Sequence, residues 1–207
     1  MRRFADRTAA PVLPSDRACR ALPRWTARLL AITAGMEPPR RLRAPALEQP
    51  FHIVLVEPEI PPNTGNVARL CAATGCPLHL VGSLGFRIDE HAVRRAGLDY
   101  WHLVSVHQHI DLESAESMIA SRSWLFSGKA ARSYLDADFR CGDALVFGKE
   151  SVGLPDALLD ERGDQVIGIP TMGPVRSLNL ANSVAIALYE ALRRNGALAA
   201  ANLVSGR

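Results

Sequence analysis

Three stretches of the chain set hydrogen-bonding side chains among prolines and glycines, each directly after a short apolar run. The first is Glu57-Pro58-Glu59-Ile60-Pro61-Pro62-Asn63-Thr64-Gly65-Asn66-Val67-Ala68-Arg69. Its prolines stiffen the backbone, Asn63 or Thr64 can cap a following helix, and Gly65 permits a tight turn. Arg69 then falls about one turn into that helix, where its guanidinium can fork onto a phosphate or a carboxylate. An ordinary cap followed by a solvated arginine accounts for the same residues. The second stretch runs from Phe147 to Pro155 and holds Gly148, which lets a ligand approach the backbone, and Glu150, a carboxylate at a strand end. A plain strand-turn-helix junction is its competing reading. The third runs from Ile167 to Asn182 and displays Ser177, Asn179 and Asn182, polar groups able to position a ribose or an adenosine edge. Asn179 and Asn182 are three apart and therefore neighbours on a helix, while Tyr189 shares the stripe of Asn182. Here the alternative is that Ser177 caps the helix and the asparagines are solvated.

Other chemistries lack their patterns. Neither GxGxxG nor a Walker lysine-serine pair is present, so dinucleotide and triphosphate loops have no support. Cys19, Cys71, Cys76 and Cys141 are scattered without a CxxC pair, and the histidines, His107 and His109 among them, make no zinc spacing with them. No metal is expected. Apolar runs such as Ile53 to Val56 fall far short of the roughly 18 to 20 residues that cross a bilayer. Free thiols and the lack of a signal-peptide pattern lead us to expect a soluble, cytoplasmic protein.

The loops need elements to hold them. His52 to Val56, Leu78 to Val81, Trp101 to Val106, Trp124 to Phe126, Ala144 to Phe147 and Val166 to Ile169 read as strands. Between them, Asn66 to Thr74 reads as a helix closed by Gly75, Glu90 to Ala96 as one closed by Gly97, and Leu112 to Ala120 as a third. The last helix repeats Leu178, Ala181, Val184, Ala185, Leu188, Ala191 and Leu192 at three- and four-residue steps and ends in Arg193 and Arg194 before Gly196. This alternation gives an α/β class, with a mostly parallel sheet covered by helices on both faces.

Charge divides the chain. Its formal net charge is +3, yet residues 1 to 50 hold ten arginines against Asp6, Asp16, Glu37 and Glu48, a net +6 that leaves −3 for the rest. Seven prolines lie in the same stretch, where only Trp25 to Ile32 offers a helical pattern. Residues 1–50 read as a largely disordered Arg/Pro-rich extension and 51–207 as the folded domain. The extension can be inert, an RNA-contacting arm or a targeting segment.

Taken together, the three stretches and the Arg94 to Trp101 segment resemble the signature motifs of the SPOUT methyltransferases, over residues 52 to about 195. They are most similar to the branch that methylates the ribose 2′-hydroxyl of the wobble nucleotide in tRNA, cytidine or modified uridine at position 34. The resemblance implies a C-terminal deep trefoil knot, S-adenosylmethionine as methyl donor, tRNA as partner and a homodimer. Carried over by position, it implies cofactor contacts at Phe126, Gly148, Ile169 and Ser177. It likewise implies that Arg69 touches the reacting ribose or its phosphate and that Asn63, Glu150, Asn179 and Tyr189 shape the pocket. Lys129 can reach a phosphate and Arg94, Arg95 and Arg176 can add a basic surface, each of them reading equally as a solvated charge; Tyr100 and Trp101 can stack on a base or pack as core. The chain departs from this branch in its long extension and in Ala181, where relatives often carry serine. Competing readings are methylation at another tRNA or rRNA position, a catalytically silent RNA-binding module, and an α/β nucleotide-binding protein.

Overall fold

A computed structural model describes residues 40–86 and 101–205. Two compact units divide the chain, one of Leu42–Leu203 and one of Met1–Arg41 with Val204–Arg207. The expected helix at Glu90 to Ala96, the Trp25 to Ile32 pattern, and Arg94, Arg95 and Tyr100 lie outside the described residues.

Six strands form one parallel sheet: β2 (His52–Val56), β3 (Leu78–Val81), β4 (Val106–His109), β5 (Ser123–Phe126), β6 (Ala144–Phe147) and β7 (Val166–Ile167). Their spatial order is β4-β3-β2-β6-β5-β7. Alternation within each strand explains why both faces are apolar. Ile53, Leu55, Trp124, Phe126, Leu145, Phe147 and Ile167 point into one core with helices α1 (Pro61–Thr74) and α4 (Leu180–Arg194). Val54, Leu125, Val146 and Val166 point into a second core with α2 (Leu112–Ile119) and α3 (Asp156–Glu161). An all-parallel sheet needs both covers, because its strands expose neither face to water.

Several expected boundaries move, each for a physical reason. Helix α1 starts at Pro61, five residues before the expected Asn66, with Pro61 and Pro62 at its first two positions. Those positions need no N–H donor, so prolines open a helix as well as they stiffen a loop. Arg69 consequently lies more than two turns in rather than one. Gly75 closes the helix in the left-handed region at φ 72 as expected. Trp101 does not start a strand: Trp101–Leu103 is a 3-10 turn, closed by Val104 N donating to Trp101 O, and the strand lies at Val106–His109. Val106 packs against the core, and two of the other three residues are half-buried histidines, which a hydropathy reading does not count as core. The strand at Val166 ends at Ile167, and the last helix begins at Leu180 rather than Leu178. Within the stretch expected to be disordered, β1 (Arg40–Arg43) pairs with β8 (Asn202–Ser205), a partner too distant in sequence for local patterns to reveal.

Those histidines join others. His52 Nδ1 lies 2.9 Å from His79 Nε2, His79 Nδ1 lies 2.9 Å from His109 Nε2, and the His79 and His107 rings stack at 4.9 Å. A neutral ring has one N–H, so the chain of bonds runs in a single direction, from His109 to His52 or the reverse. Among the described residues no group is arranged to hold a metal ion. Burial, and then the neighbouring His52, His107 and His109, hold His79 down to about 3, and burial lowers His52 and His109 as well. An unfolded histidine takes up a proton below about pH 6.5 while His79 stays neutral. Stability is therefore complete above that pH and falls as pH drops toward 3, by about 1.4 kcal/mol per pH unit for His79 alone. Urea unfolding at pH 7.5 and 5.5 should show the loss, and His79→Leu should make the pH dependence shallower.

Candidate functional site

The connections leave β2 and β6 in opposite directions, β2 toward β3 and β6 across β5 to β7, although the two strands are neighbours. Such a switch point brings loops together at the carboxyl ends of the strands. Here the loop after β2 carries Glu57 to Ile60 and enters α1, and the loop after β6 carries Gly148 to Pro155. The Ser127 and Gly168 loops follow β5 and β7, whose ends are level with that of β6: Phe126 pairs with both Phe147 and Ile167.

Glu150 organises the first two loops. Its carboxylate accepts hydrogen bonds from Glu59 N at 2.8 Å, Ile60 N at 3.3 Å and Asn63 Nδ2 at 2.9 Å. Helix α1 has no cap of its own, since its N-cap residue is Ile60, so neither Asn63 nor Thr64 serves as expected. A carboxylate from a loop about 90 residues away takes that place and sits at the positive end of the helix dipole. With its amide nitrogen committed to Glu150, buried Asn63 turns its Oδ1 toward Asn179 Nδ2, at 3.0 Å. Asn179 is the N-cap of α4, its Oδ1 accepting from Ala181 N at 3.0 Å and Asn182 N at 3.4 Å. Ser177 therefore lies ahead of the helix, exposed, and does not cap it. One chain of hydrogen bonds thus links all three sequence stretches.

That chain separates capping from relay. Asn179→Ala should lose the cap, about 1 kcal/mol, together with the Asn63 partner. Asn179→Asp keeps an oxygen for the helix N–H groups but faces Asn63 Oδ1 with another acceptor. It should melt within a degree or two of the parent while losing most of any activity that needs Asn63 oriented, which paired thermal melts and activity assays will separate.

Sequence reasoning missed the other ties between these loops. Lys149 Nζ meets Glu57 Oε2 at 2.7 Å, and Glu59 accepts from both Ser151 N and Ser151 Oγ at 3.0 Å. The Ser151 bonds hold the Glu59 carboxyl below the usual carboxylate range, and the Glu57 contact raises Lys149. Glu57 adopts φ 48, a left-handed conformation that costs a non-glycine residue roughly 1 kcal/mol or more. Its backbone N–H donating to Val81 O at 2.8 Å helps to hold it there. Acids at 57 and 59 opposite a lysine and a serine at 149 and 151 are a usable signal only once β2 and β6 are known to pair.

Phe126 and Phe147 stack at 4.6 Å beneath the adjoining strand ends, and Ile169 packs against the same core. The Arg176 carbonyl lies 3.4 Å from where a Cβ on Gly128 would be, so the loop holding Ser177 passes over the one after β5. The residues expected to touch the cofactor, Phe126, Gly148, Ile169 and Ser177, lie at or just beyond neighbouring strand ends and on the loop ahead of α4, and their main-chain groups and apolar side chains are of a chemistry that suits a neutral adenosine; a Cβ on Gly148 would meet the backbone of Gly153 and Leu154. Lys129 is paired with Asp156, both mostly exposed, while Arg176 is exposed on its loop. Arg69 on α1 and Tyr189 on α4 are exposed, and the Glu150-Asn63-Asn179 chain does not reach Tyr189. Trp101 is half-buried against the core, which leaves less of its ring for stacking.

Comparison with known proteins adds the following. The pattern of the SpoU rRNA Methylase family matches residues 50–189. A tRNA (cytidine(34)-2′-O)-methyltransferase of Saccharophagus degradans is 45% identical over 148 residues, 70% of this chain and 96% of the relative. One from Yersinia pestis is 43% identical over 153 residues, 70% of this chain and 94% of the relative. A solved structure concerned with 2-OH methylation of C/U34 on tRNA is 45% identical, covering 71% of this chain and 97% of its own, at a TM-score of 0.66. A SpoU methyltransferase of Streptomyces viridochromogenes in complex with AdoMet shares the fold at 23% identity and a TM-score of 0.63.

Proposed function

The chain belongs to the SpoU rRNA Methylase family, and on that footing we propose that it transfers a methyl group from S-adenosylmethionine to the ribose 2′-hydroxyl of the wobble nucleotide of tRNA. The hydrogen-bond chain from Glu150 through Asn63 to Asn179 carries this reading. It links the three loops in a protein whose relatives at 43 to 45% identity are named for that reaction.

S-adenosylmethionine supplies a methyl already activated as a sulfonium, so the residues have to align the acceptor oxygen and let its proton leave. Arg69 holds the ribose or its phosphate. A guanidinium is a poor base, so its part is positioning and charge stabilisation. Asn63, Glu150, Asn179 and Tyr189 shape the pocket, with Glu150 acting through Asn63. Phe126, Gly148, Ile169 and Ser177 hold the adenosine, and Lys129 and Arg176 take tRNA phosphates, Lys129 exchanging Asp156 for one. The domain from residue 51 acts as a homodimer, for which Ile186 and Tyr189, exposed along α4, offer an apolar stripe. The free buried thiols Cys71 and Cys76 suit the reducing cytoplasm, and no helix among the described residues is long and apolar enough to cross a membrane.

Nucleoside mapping by mass spectrometry, on tRNA incubated with protein and S-adenosylmethionine, tests the reading. A 2′-O-methyl mark confined to the wobble nucleotide is expected. Arg69→Ala should lower kcat/KM about 100-fold while S-adenosylmethionine binds within threefold of the parent. A mark elsewhere would keep the reaction and overturn the site, and neither methylation nor cofactor binding would leave an RNA-binding protein.

A further inference from the structure

The parallel register of β2 and β6 does not stop where their backbone pairing stops. Leu55 faces Phe147 as the last paired residues of the two strands, 92 positions apart. Two residues on, at the same offset, Lys149 pairs with Glu57. Two further on, again at that offset, Ser151 donates twice to Glu59. Between these odd-numbered pairs, Glu150 turns to the backbone of Glu59 and Ile60. The two loops therefore keep the 92-residue offset of the strand pair through side chains, although the backbone leaves the strand conformation at Glu57. A switch point ordinarily leaves a crevice between such loops. Here three consecutive residues, Lys149, Glu150 and Ser151, are each tied across it to the segment that starts α1.

We infer that the pairs Glu57-Lys149 and Glu59-Ser151 are a latch that sets the position of the α1 N-terminus relative to the Gly148 loop, with Glu59 and Lys149 as positioning residues for methyl transfer. The inference rests on the function proposed above. Under that reading α1 carries the acceptor side of the reaction, through Asn63 and Arg69, and the Gly148 loop carries the donor side. Neither latch pair needs to touch a ligand. Its task is to keep two separately bound partners in line, and a misplacement of about 1 Å between reacting groups costs on the order of 100-fold in rate. The Glu57-Lys149 pair is partly exposed, with 43% and 33% of the side chains accessible, so it adds little stability by itself. Its worth lies in register, shared with the Glu59 bonds.

Steady-state kinetics on the full chain distinguish alignment from binding and from folding. Glu59→Ala, and separately Lys149→Glu, should lower kcat at saturating tRNA and S-adenosylmethionine at least tenfold, with both affinities within threefold of the parent. Combining Lys149→Glu with Glu57→Lys restores the pair in reverse and should return kcat to within about threefold of the parent, which a direct chemical role for either residue would not allow. Hydrogen exchange, read without activity, should show faster exchange at the amides of residues 59, 60 and 63–65 in Glu59→Ala and recovery to the parent rate in the reversed pair relative to Lys149→Glu. Unchanged kcat, a loss confined to melting temperature or to one ligand's affinity, or no rescue by the reversed pair would overturn the latch. If the parent methylates nothing, the proposed function falls, and the exchange rates still judge the latch.

Discussion

Replacing Glu150 by glutamine is expected to abolish nearly all methyl transfer while leaving the sheet intact. Three donors, two backbone N–H groups and the Asn63 amide, converge on two carboxylate oxygens. Glutamine keeps one oxygen and presents an NH2 group where the other stood, so at least one of the donors meets another donor. Bonds to a charged acceptor are the stronger kind, and losing part of the set should cost about 1 to 3 kcal/mol of stability. The effect on rate is larger, because Asn63 loses the partner that fixes its orientation and Asn179 then faces an amide free to turn. A fall of roughly 100-fold in kcat follows, of the size that loss of a preorganised donor produces. Single-turnover assays with enzyme in excess will measure it, and urea unfolding will measure the stability. A rate within threefold of the parent would mean that Asn63 is held by other means.

Gly148→Ala should act on the donor side. A Cβ there would stand 2.1 Å from the carbonyl carbon of Gly153 and 2.2 Å from Leu154 N, both backbone atoms with nowhere to retreat. The turn is closed by Gly153 N donating to Lys149 O at 2.8 Å, and one methyl group must break it open. The cost is roughly 3 kcal/mol or more, at the upper end for overpacking. S-adenosylmethionine affinity should fall at least 100-fold. Calorimetric titration with the cofactor will report this without RNA. Gly163→Ala is the control, since nothing lies within 4 Å of its Cβ position, and it should bind as the parent does.

Much of this molecule is legible in its residues. His52–Val56, Leu78–Val81 and Ala144–Phe147 are strands at the expected limits because continuous apolar runs bounded by turns have few other solutions. The loops after them stood out through prolines, glycines and lone polar groups, and the family resemblance gave those groups roles. What could not be read is what depends on a second strand of sequence. The cap of α1 comes from Glu150, the second strap from Glu59 and Ser151, and the strand at Arg40–Arg43 from Asn202–Ser205. Each needs the register of a pairing that local patterns do not contain. The strand Val106–His109 is hard to read for another reason: two of its four residues are half-buried histidines, His109 held by buried His79 and His107 by Ser105, where a hydropathy reading looks for an apolar run.

The distances in sequence that the site spans also bear on when it comes into being. Glu150 reaches back 91 residues to Glu59, and Asn179 reaches back 116 to Asn63. Contacts of that separation form late, after the entropy of closing long loops has been met. A chain still emerging from the ribosome completes α1 long before it owns the carboxylate that caps it or the asparagine that orients its Asn63. Helical signal in a refolding experiment should therefore return ahead of cofactor binding, and a half-made chain can neither hold the methyl donor nor modify an RNA.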